Sequence, residues 1–464
     1  MKTSILLLAL VCTVSSVLAQ KTNQKTTPKN EIRVPLNAAS WETRNNQVKF
    51  ADHNGVPSIE ITSGGELITA KNLVFSNGTI EYDIDYTGGF AGIYFRRESD
   101  DESEFFYLRD RAGDPVKLDA VQYAPIIKKV NLWDMLPDYQ TAANFKKGEW
   151  THIKLVVSGS QMLVYVNDTT KPTLQIPRLE GNTKQGSISF TGQSFISNLV
   201  VKPNEVEGLS QNEGFDPTYH DNRYIRTWQF SQPVSLPRGQ ELTNDNLPDI
   251  TTNWQTITAE RRGLINLTRV FGVDSRRAVW LRTKVITKKQ QNLKIDLGFS
   301  DEVWVFVNEN FAHADKNLYS QNVRKSPDGR ISVDNSTVEI SLREGENELL
   351  IAVANDFFGW GIIARIQDLD GITLDADFKP EAIDKELQPL FGMYASKQIP
   401  LKVKISQKNN KLSAQPVGQG PILMDNAGNN VFKFDPFAIV LEFTPAENKM
   451  VLKEGSQSYE FVKE

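Results

Sequence analysis

Apolar and polar residues alternate along most of this chain. In Thr79 to Tyr86, Ile80, Tyr82, Ile84 and Tyr86 fall on one side, and Glu81, Asp83 and Asp85 on the other. That is the signature of a strand, whose successive side chains point to opposite faces. After Gly88-Gly89 the alternation resumes, with Ile93 and Phe95 opposite Tyr94 and Arg96. Two further runs, Trp150 to Val157 and Met162 to Asn167, flank Ser158-Gly159-Ser160-Gln161 and predict a hairpin. Later strands are expected at 187–190, 278–285, 292–297, 302–307, 338–342, 348–354 and 362–367. No segment shows long helical periodicity with caps, so the predicted class is all-β, built from sandwiches and joined by Gly, Asn, Asp and Pro turns.

Breaks in this pattern divide the chain. The expected units are 31–203, 218–376 and 387–464, joined by a polar, Gly-bearing linker at 204–217 and a charged connector at 377–386. Lys2, the apolar run Ile5 to Val11 and the small-residue site Val17-Leu18-Ala19 have the layout of a cleaved signal peptide over 1–19. A polar, disordered leader at 20–30 is expected to follow. The chain's one cysteine, Cys12, lies inside the signal segment. The mature chain then has no disulfide, thiolate metal site or cysteine nucleophile, and the expected location is secreted or periplasmic, in a bacterial setting.

Composition narrows the function classes. Hydrophobic residues make up 39% of 464, and no later apolar run approaches the roughly 18 residues of a membrane span. The 52 basic and 57 acidic residues give a net charge of −5 with both signs mixed, which argues against a nucleic-acid partner.

Three resemblances rest on particular residues. Gly78 to Asp85, Phe90 to Arg96, Phe106 to Arg109, Gln122-Tyr123, Gly148 to Val157 and Met162 to Asn167 resemble the concanavalin A-like (laminin G-like) jelly roll, in the branch that includes 3-keto-disaccharide hydrolase-type domains. Trp228, Ala278 to Arg282, Asp301 to Asn308, Gly345 to Asn355 and Trp360-Gly361 are similar to galactose-binding-like β-sandwiches of carbohydrate-active enzymes. Leu387 to Tyr394, Lys411 to Gln419, Phe432, Ile439 to Phe443 and Tyr459 to Lys463 resemble the small lipocalin-like β-barrel found after bacterial β-lactamase-like peptidases. No peptidase domain precedes it in this chain, so that resemblance implies an accessory role.

Candidate chemistry is confined to a few places. Glu81, Asp83 and Asp85 sit roughly 6.6–6.8 Å apart along one strand face, within the range of glycosidase carboxylate pairs. Their E-x-D-x-D pattern departs from the E-x-D-x-x-E of jelly-roll glucanases, with Tyr86 where the last acid would stand. A solvated strand face is the plainer reading. Arg96, Tyr107, Arg109, Gln122, Tyr123 and Trp133 combine guanidinium forks, phenols and an indole, groups suited to sugar hydroxyls and to the apolar faces of pyranose rings. The jelly-roll resemblance implies a ligand site on this face. Ordinary pairing of these arginines with Glu98, Asp110 or Asp119 is the competing reading. In the second unit, Trp304, Asn308 and Trp360, with Phe357 and Phe358, offer an aromatic sugar platform or a packed domain contact.

His53, His152, His220 and His313 show no zinc-ligand spacing, and no nucleophile elbow or nucleotide-binding loop occurs. The expected cofactor is none, with a structural calcium on Asp301 and Glu302 left open. The leading expectation is an exported multidomain carbohydrate-binding protein. The alternatives are a glycoside-cleaving enzyme (hydrolase or 3-keto-sugar lyase type), with Arg96, Tyr107, Arg109 and Glu81 as first suspects and Glu81 and Arg109 as the catalytic candidates among them, and a non-catalytic envelope scaffold with a protein partner.

Overall fold

Alternate apolar residues commit Gly78–Arg97 to a single strand of 20 residues that organises the first third of the molecule. In the computed structural model, which describes residues 30–110, 117–378, 382–408 and 410–464, this strand pairs with Trp150–Ser158 along its first half and Glu102–Leu108 along its second. The 17-residue strand Ser187–Pro203 follows its other edge antiparallel, with bulges. Ile80, Tyr82, Ile84 and Tyr86 all face inward and are at most 1% exposed. They join Trp41, Phe75, Phe106 and Phe190 in one core. The hairpin closes on Gly159-Ser160, with Ser158 opposite Gln161. Gly159 is required there: it has φ +53, and a Cβ would stand 2.1 Å from the Gln211 carbonyl. The segment expected as a linker, 204–217, is thus laid against the first sandwich, where Gly214 N–H also donates to Pro177 O at 2.7 Å.

The second body packs an eight-stranded sheet against a four-stranded one. Gly345–Ala354 lies between Arg277–Thr287 and Glu302–Val307 in the larger sheet, and Gly361–Ile366 lies beside Gln291–Ser300 in the smaller. Trp228, Leu281, Leu297, Val305, Trp360 and Ile362 fill the space between. The outer face of the larger sheet is also covered, by Leu236, Leu242, Leu247 and Trp254 from the irregular segment that precedes it.

The third body is a closed barrel of eight strands, from Gly392–Ser396 to Gln457–Lys463, which pair with each other to close it. Leu412, Met424, Phe432, Phe443 and Phe461 fill its interior. It touches the second body through Gln415 Nε2, which donates to Asn244 O at 3.0 Å, and Gly418 N, which donates to Asp245 Oδ1 at 3.0 Å. The sole α-helix among the described residues is Leu267–Phe271, so the class is all-β. No helix there is long and apolar enough to cross a membrane. The expected signal peptide at 1–19 and the leader at 20–30, except its last residue, lie outside the described residues, as do residues 379–381 of the connector.

Candidate functional site

Strand Glu102–Leu108 turns Phe106 and Leu108 into the core, so Phe105 and Tyr107 face outward. Tyr107 lies opposite Gly92, where a Cβ would come within 2.7 Å of the Tyr107 Cβ. This lets the rings form a ladder across the sheet. Tyr94 stacks on Phe105 at 4.0 Å between centroids, Phe105 on Tyr107 at 4.7 Å, and Phe90 meets Tyr107 edge-on at 5.7 Å. Phe90 closes the ladder at the surface, 58% exposed.

Polar groups stand along the same edge. The Arg109 guanidinium sits 5.3 Å over the Phe90 ring, pairs with Asp119 Oδ2 at 2.6 Å and donates to Gln122 Oε1 at 3.3 Å. Gln122 in turn donates to Gln140. The sequence-based alternative of Arg–Asp pairing is therefore realised for Arg109, with Asp119 as partner. Trp133 joins this edge from the loop after the sheet. The Arg330 guanidinium of the second body lies 4.6 Å over the Trp133 indole, and Tyr319 and Phe358 approach it at 5.1 and 5.8 Å. Arg330 is 1% exposed, and burial holds its guanidinium below the usual range.

Two members of the expected cluster belong elsewhere. Arg96 has φ +47 and lies at a bulge where pairing with Ser187–Pro203 shifts register. Its side chain therefore leaves the Tyr94 face and is buried, donating to Ser76 O at 2.7 Å, Gly159 O at 2.9 Å and Asn77 Oδ1 at 3.1 Å. Tyr123 pairs with the core-facing Phe106, and its hydroxyl donates to Glu104 Oε2 at 2.5 Å. Both are interior polar groups, separated from Tyr107 and Arg109 by the sheet itself.

Each acid of the strand face has a side-chain partner. Lys202 Nζ lies 2.7 Å from Glu81 Oε1, His152 Nδ1 2.7 Å from Asp83 Oδ1, and His53 Nε2 2.8 Å from Asp85 Oδ2. Burial pushes the Glu81 carboxyl up, but Lys202, with His152 and Lys154 behind it, holds it below the usual carboxylate range. Glu81 also stands ten residues along the strand from Ala91, the partner of Leu108, up to about 33 Å of extended chain. It cannot act with Arg109.

The platform expected on the second body is not formed. Trp304 is 1% exposed, its Nε1 donating to Glu241 Oε2 at 2.9 Å beneath the segment that covers the outer sheet face. Trp360 is fully buried and donates to Gly272 O at 3.0 Å. Asn308, at φ +49, is a turn residue joined to Asn347 at 2.9 Å. Phe357 and Phe358 remain at the edge beside Tyr319 and Trp133. The two acids considered for calcium already have protein partners. Asp301 Oδ2 accepts from Phe357 N at 2.8 Å and from Asp356 N, and Glu302 is paired with Arg276 and Lys316.

Between the first two bodies lies a carboxyl pair that the sequence pattern does not bring together, since it marks Asp301 but not Asp134. Asp134 and Asp301 are each 2% exposed. The Ser300 hydroxyl is 3.3 Å from Asp134 Oδ2 and 3.1 Å from Asp301 Oδ1, and Gly359 N donates to Asp134 Oδ1 at 3.3 Å. Burial pushes Asp301 up to about 7. Asp134 is raised as well, first by burial and then by the charge of Asp301. Phe90, Phe105, Asp119, Tyr319 and Arg330 complete the edge without having been singled out as ligand contacts. The period-two run Phe105-x-Tyr107-x-Arg109 is the local signal that could have drawn in Phe105.

Residues 35–199 match the family model of the 3-keto-alpha-glucoside-1,2-lyase-like domain. No curated protein matches this chain. Among solved structures the chain is similar to the carbohydrate-binding module CBM66 from Bacillus subtilis, at 14% identity, covering 35% of this chain and 95% of that one with a TM-score of 0.27. It is also similar to a glycosyl hydrolase, described as putative, from Parabacteroides distasonis (13%, 36% and 89%, TM-score 0.26). A third is domain 4 of AbnA, a GH43 extracellular arabinanase from Geobacillus stearothermophilus in complex with arabinotriose (14%, 35% and 82%, TM-score 0.25).

Proposed function

We propose that this chain is an exported carbohydrate-binding protein whose ligand edge is formed by Phe90, Tyr107, Arg109, Gln122, Trp133 and Phe358. The observation that carries the reading is the Arg109 guanidinium held over the exposed Phe90 ring at 5.3 Å, with Gln122 within hydrogen-bond reach. An aromatic face takes the C–H side of a pyranose, and a planar guanidinium and an amide satisfy neighbouring hydroxyls. The family match over 35–199 supports sugar chemistry as the subject of this domain. Screening the mature chain on a glycan array, beside its Phe90→Ala and Arg109→Ala variants, tests it. Each substitution is expected to weaken the bound glycan at least tenfold, about 1.4 kcal/mol. Unchanged affinity in both would remove this edge from the function.

A second reading, glycoside cleavage at the same edge, is favoured by one feature: the nearly buried Asp119 carboxylate against Arg109. A reducing-sugar release assay on the array-positive glycan separates the two. Release abolished by Asp119→Asn, with binding retained, would make the chain an enzyme, whereas binding without release keeps it a binding protein.

A further inference from the structure

Phe358, the exposed ring that the second body brings to the ligand edge, has φ +59. That is a left-handed backbone, which a bulky residue keeps only where its surroundings hold it. Here the amides on either side are held. Phe357 N donates to Asp301 Oδ2 at 2.8 Å, and Gly359 N donates to Asp134 Oδ1 at 3.3 Å. Gly359 lets the two loops close up, since a Cβ on it would stand 2.5 Å from Met135 Cγ and 3.0 Å from Asp134 Oδ1. Trp133, which Phe358 meets edge-on at 5.8 Å, immediately precedes Asp134 in the chain. The buried carboxyl pair therefore fixes two rings of the ligand edge from behind.

The supply of donors sets the charge of this pair. Asp134 Oδ2 and Asp301 Oδ1 flank the Ser300 hydroxyl at 3.3 and 3.1 Å, but a hydroxyl has one proton to give. With both carboxyls ionised, one of them faces the Ser300 oxygen with nothing between. With a proton on Asp134 Oδ2, that carboxyl donates to Ser300 Oγ, which donates onward to Asp301 Oδ1. The partners of both carboxyls are this hydroxyl and backbone amides, with no lysine, arginine or histidine among the described residues. The charged groups packed nearby are engaged elsewhere: Asp356 with Arg238 and Arg276, Glu302 with Arg276 and Lys316, and Arg330 with Trp133 O. A single proton is thus the missing member of the joint.

We propose that one proton shared along Asp134, Ser300 and Asp301 latches the loops of Trp133 and Phe358 together, and that its release to water as pH rises frees Phe358 and unmakes the aromatic end of the glycan edge. The latch stands on the hydrogen bonds of the joint, while its effect on glycan rests on the function proposed for that edge. The direction follows from burial, which raises both carboxyls, Asp301 to about 7, with the charge of Asp301 raising Asp134 further. Groups raised in this way hold their proton, and the latch, at the acid end and lose it as pH climbs towards about 7. The device makes the binding edge pH-dependent although none of its own side chains titrates in that range.

Amide hydrogen exchange of the full mature chain tests it, each variant being compared with the parent at the same pH. Protection of the Phe357 and Gly359 amides, corrected for intrinsic exchange, should fall about tenfold in the parent between mildly acid and mildly alkaline pH. Asp134→Asn sets an N–H where the proton sits and should keep both amides protected throughout. Asp301→Asn does the same from the other side if the first variant does not fold. Affinity for the array-positive glycan should fall roughly fivefold over the same range in the parent and stay level in Asp134→Asn. Protection that ignores pH, or that falls equally in the asparagine variants, would overturn the latch. Calcium restoring protection at alkaline pH would assign the joint to a cation and overturn it too. Level affinity beside falling protection would overturn its hold on the edge. Absence of glycan binding at every pH, with protection still falling, would strike the function proposed for the edge and leave the latch standing.

Discussion

Asp134 of the first sandwich and Asp301 of the second share a single hydroxyl, that of Ser300, at 3.3 and 3.1 Å. Two carboxyls this close and this buried do not both ionise readily. Both are raised in the folded chain, Asp301 to about 7. In the unfolded chain an aspartate titrates near about 3.9. Between those values the folded state holds more protons, so the pair's contribution is complete at the acid end and is lost as pH rises towards about 7. Asp356 adds to the repulsion on Asp301, and Arg276 and Arg238 pair with Asp356 in turn. Thermal unfolding followed from mildly acid to mildly alkaline pH should show the midpoint falling across this window. Asp134→Asn should flatten that slope, and an unchanged slope in the variant would assign the dependence to other groups.

Arg96 is a structural residue, not a ligand contact. Its guanidinium serves two carbonyls and Asn77 beside the buried Glu104. Arg96→Met should cost about 3–5 kcal/mol in urea unfolding, because it strips buried acceptors of a charged donor. Any folded fraction should bind glycan as the parent does. A loss of affinity without a loss of stability would return Arg96 to the site.

Trp304 makes a similar prediction on the second body. Buried against Leu236, Trp280 and Phe306, it should cost about 3–5 kcal/mol when replaced by alanine. The conservative Trp304→Phe keeps most of the packing and loses the Glu241 hydrogen bond. It should cost about 1 kcal/mol and leave glycan affinity intact.

Glu81→Gln separates the strand acids from any chemistry. The Glu81–Lys202 pair is partly exposed and should contribute no more than about 1 kcal/mol. Glycan release, where found, should be unaffected. A large fall in release from this one substitution would reinstate the acidic strand as catalytic.

The legible part of this molecule was the part governed by near neighbours in sequence. Ile80, Tyr82, Ile84 and Tyr86 declare their burial by spacing alone, and the hairpin at Gly159-Ser160 declares its own turn. Arg96 defied the same rule because one left-handed residue at a bulge reverses the side on which a chain of alternating residues continues. Trp304 obeyed it, lying opposite Val303 and Val305, yet is buried because an irregular segment from 236 onward covers the second face of its sheet. Tyr319, Arg330 and the Asp134–Asp301 pair depend on two bodies meeting, with more than 160 residues between partners. Such long-range meetings leave no period in the chain.

The terminal barrel has one more implication. Because Tyr394–Ser396 pairs with Phe461–Lys463, the ring closes and, among the described residues, has no edge strand. A passing peptide finds nowhere to add itself as a ninth strand. Whatever this part of the molecule meets outside itself, it must recognise by side chains and loops alone.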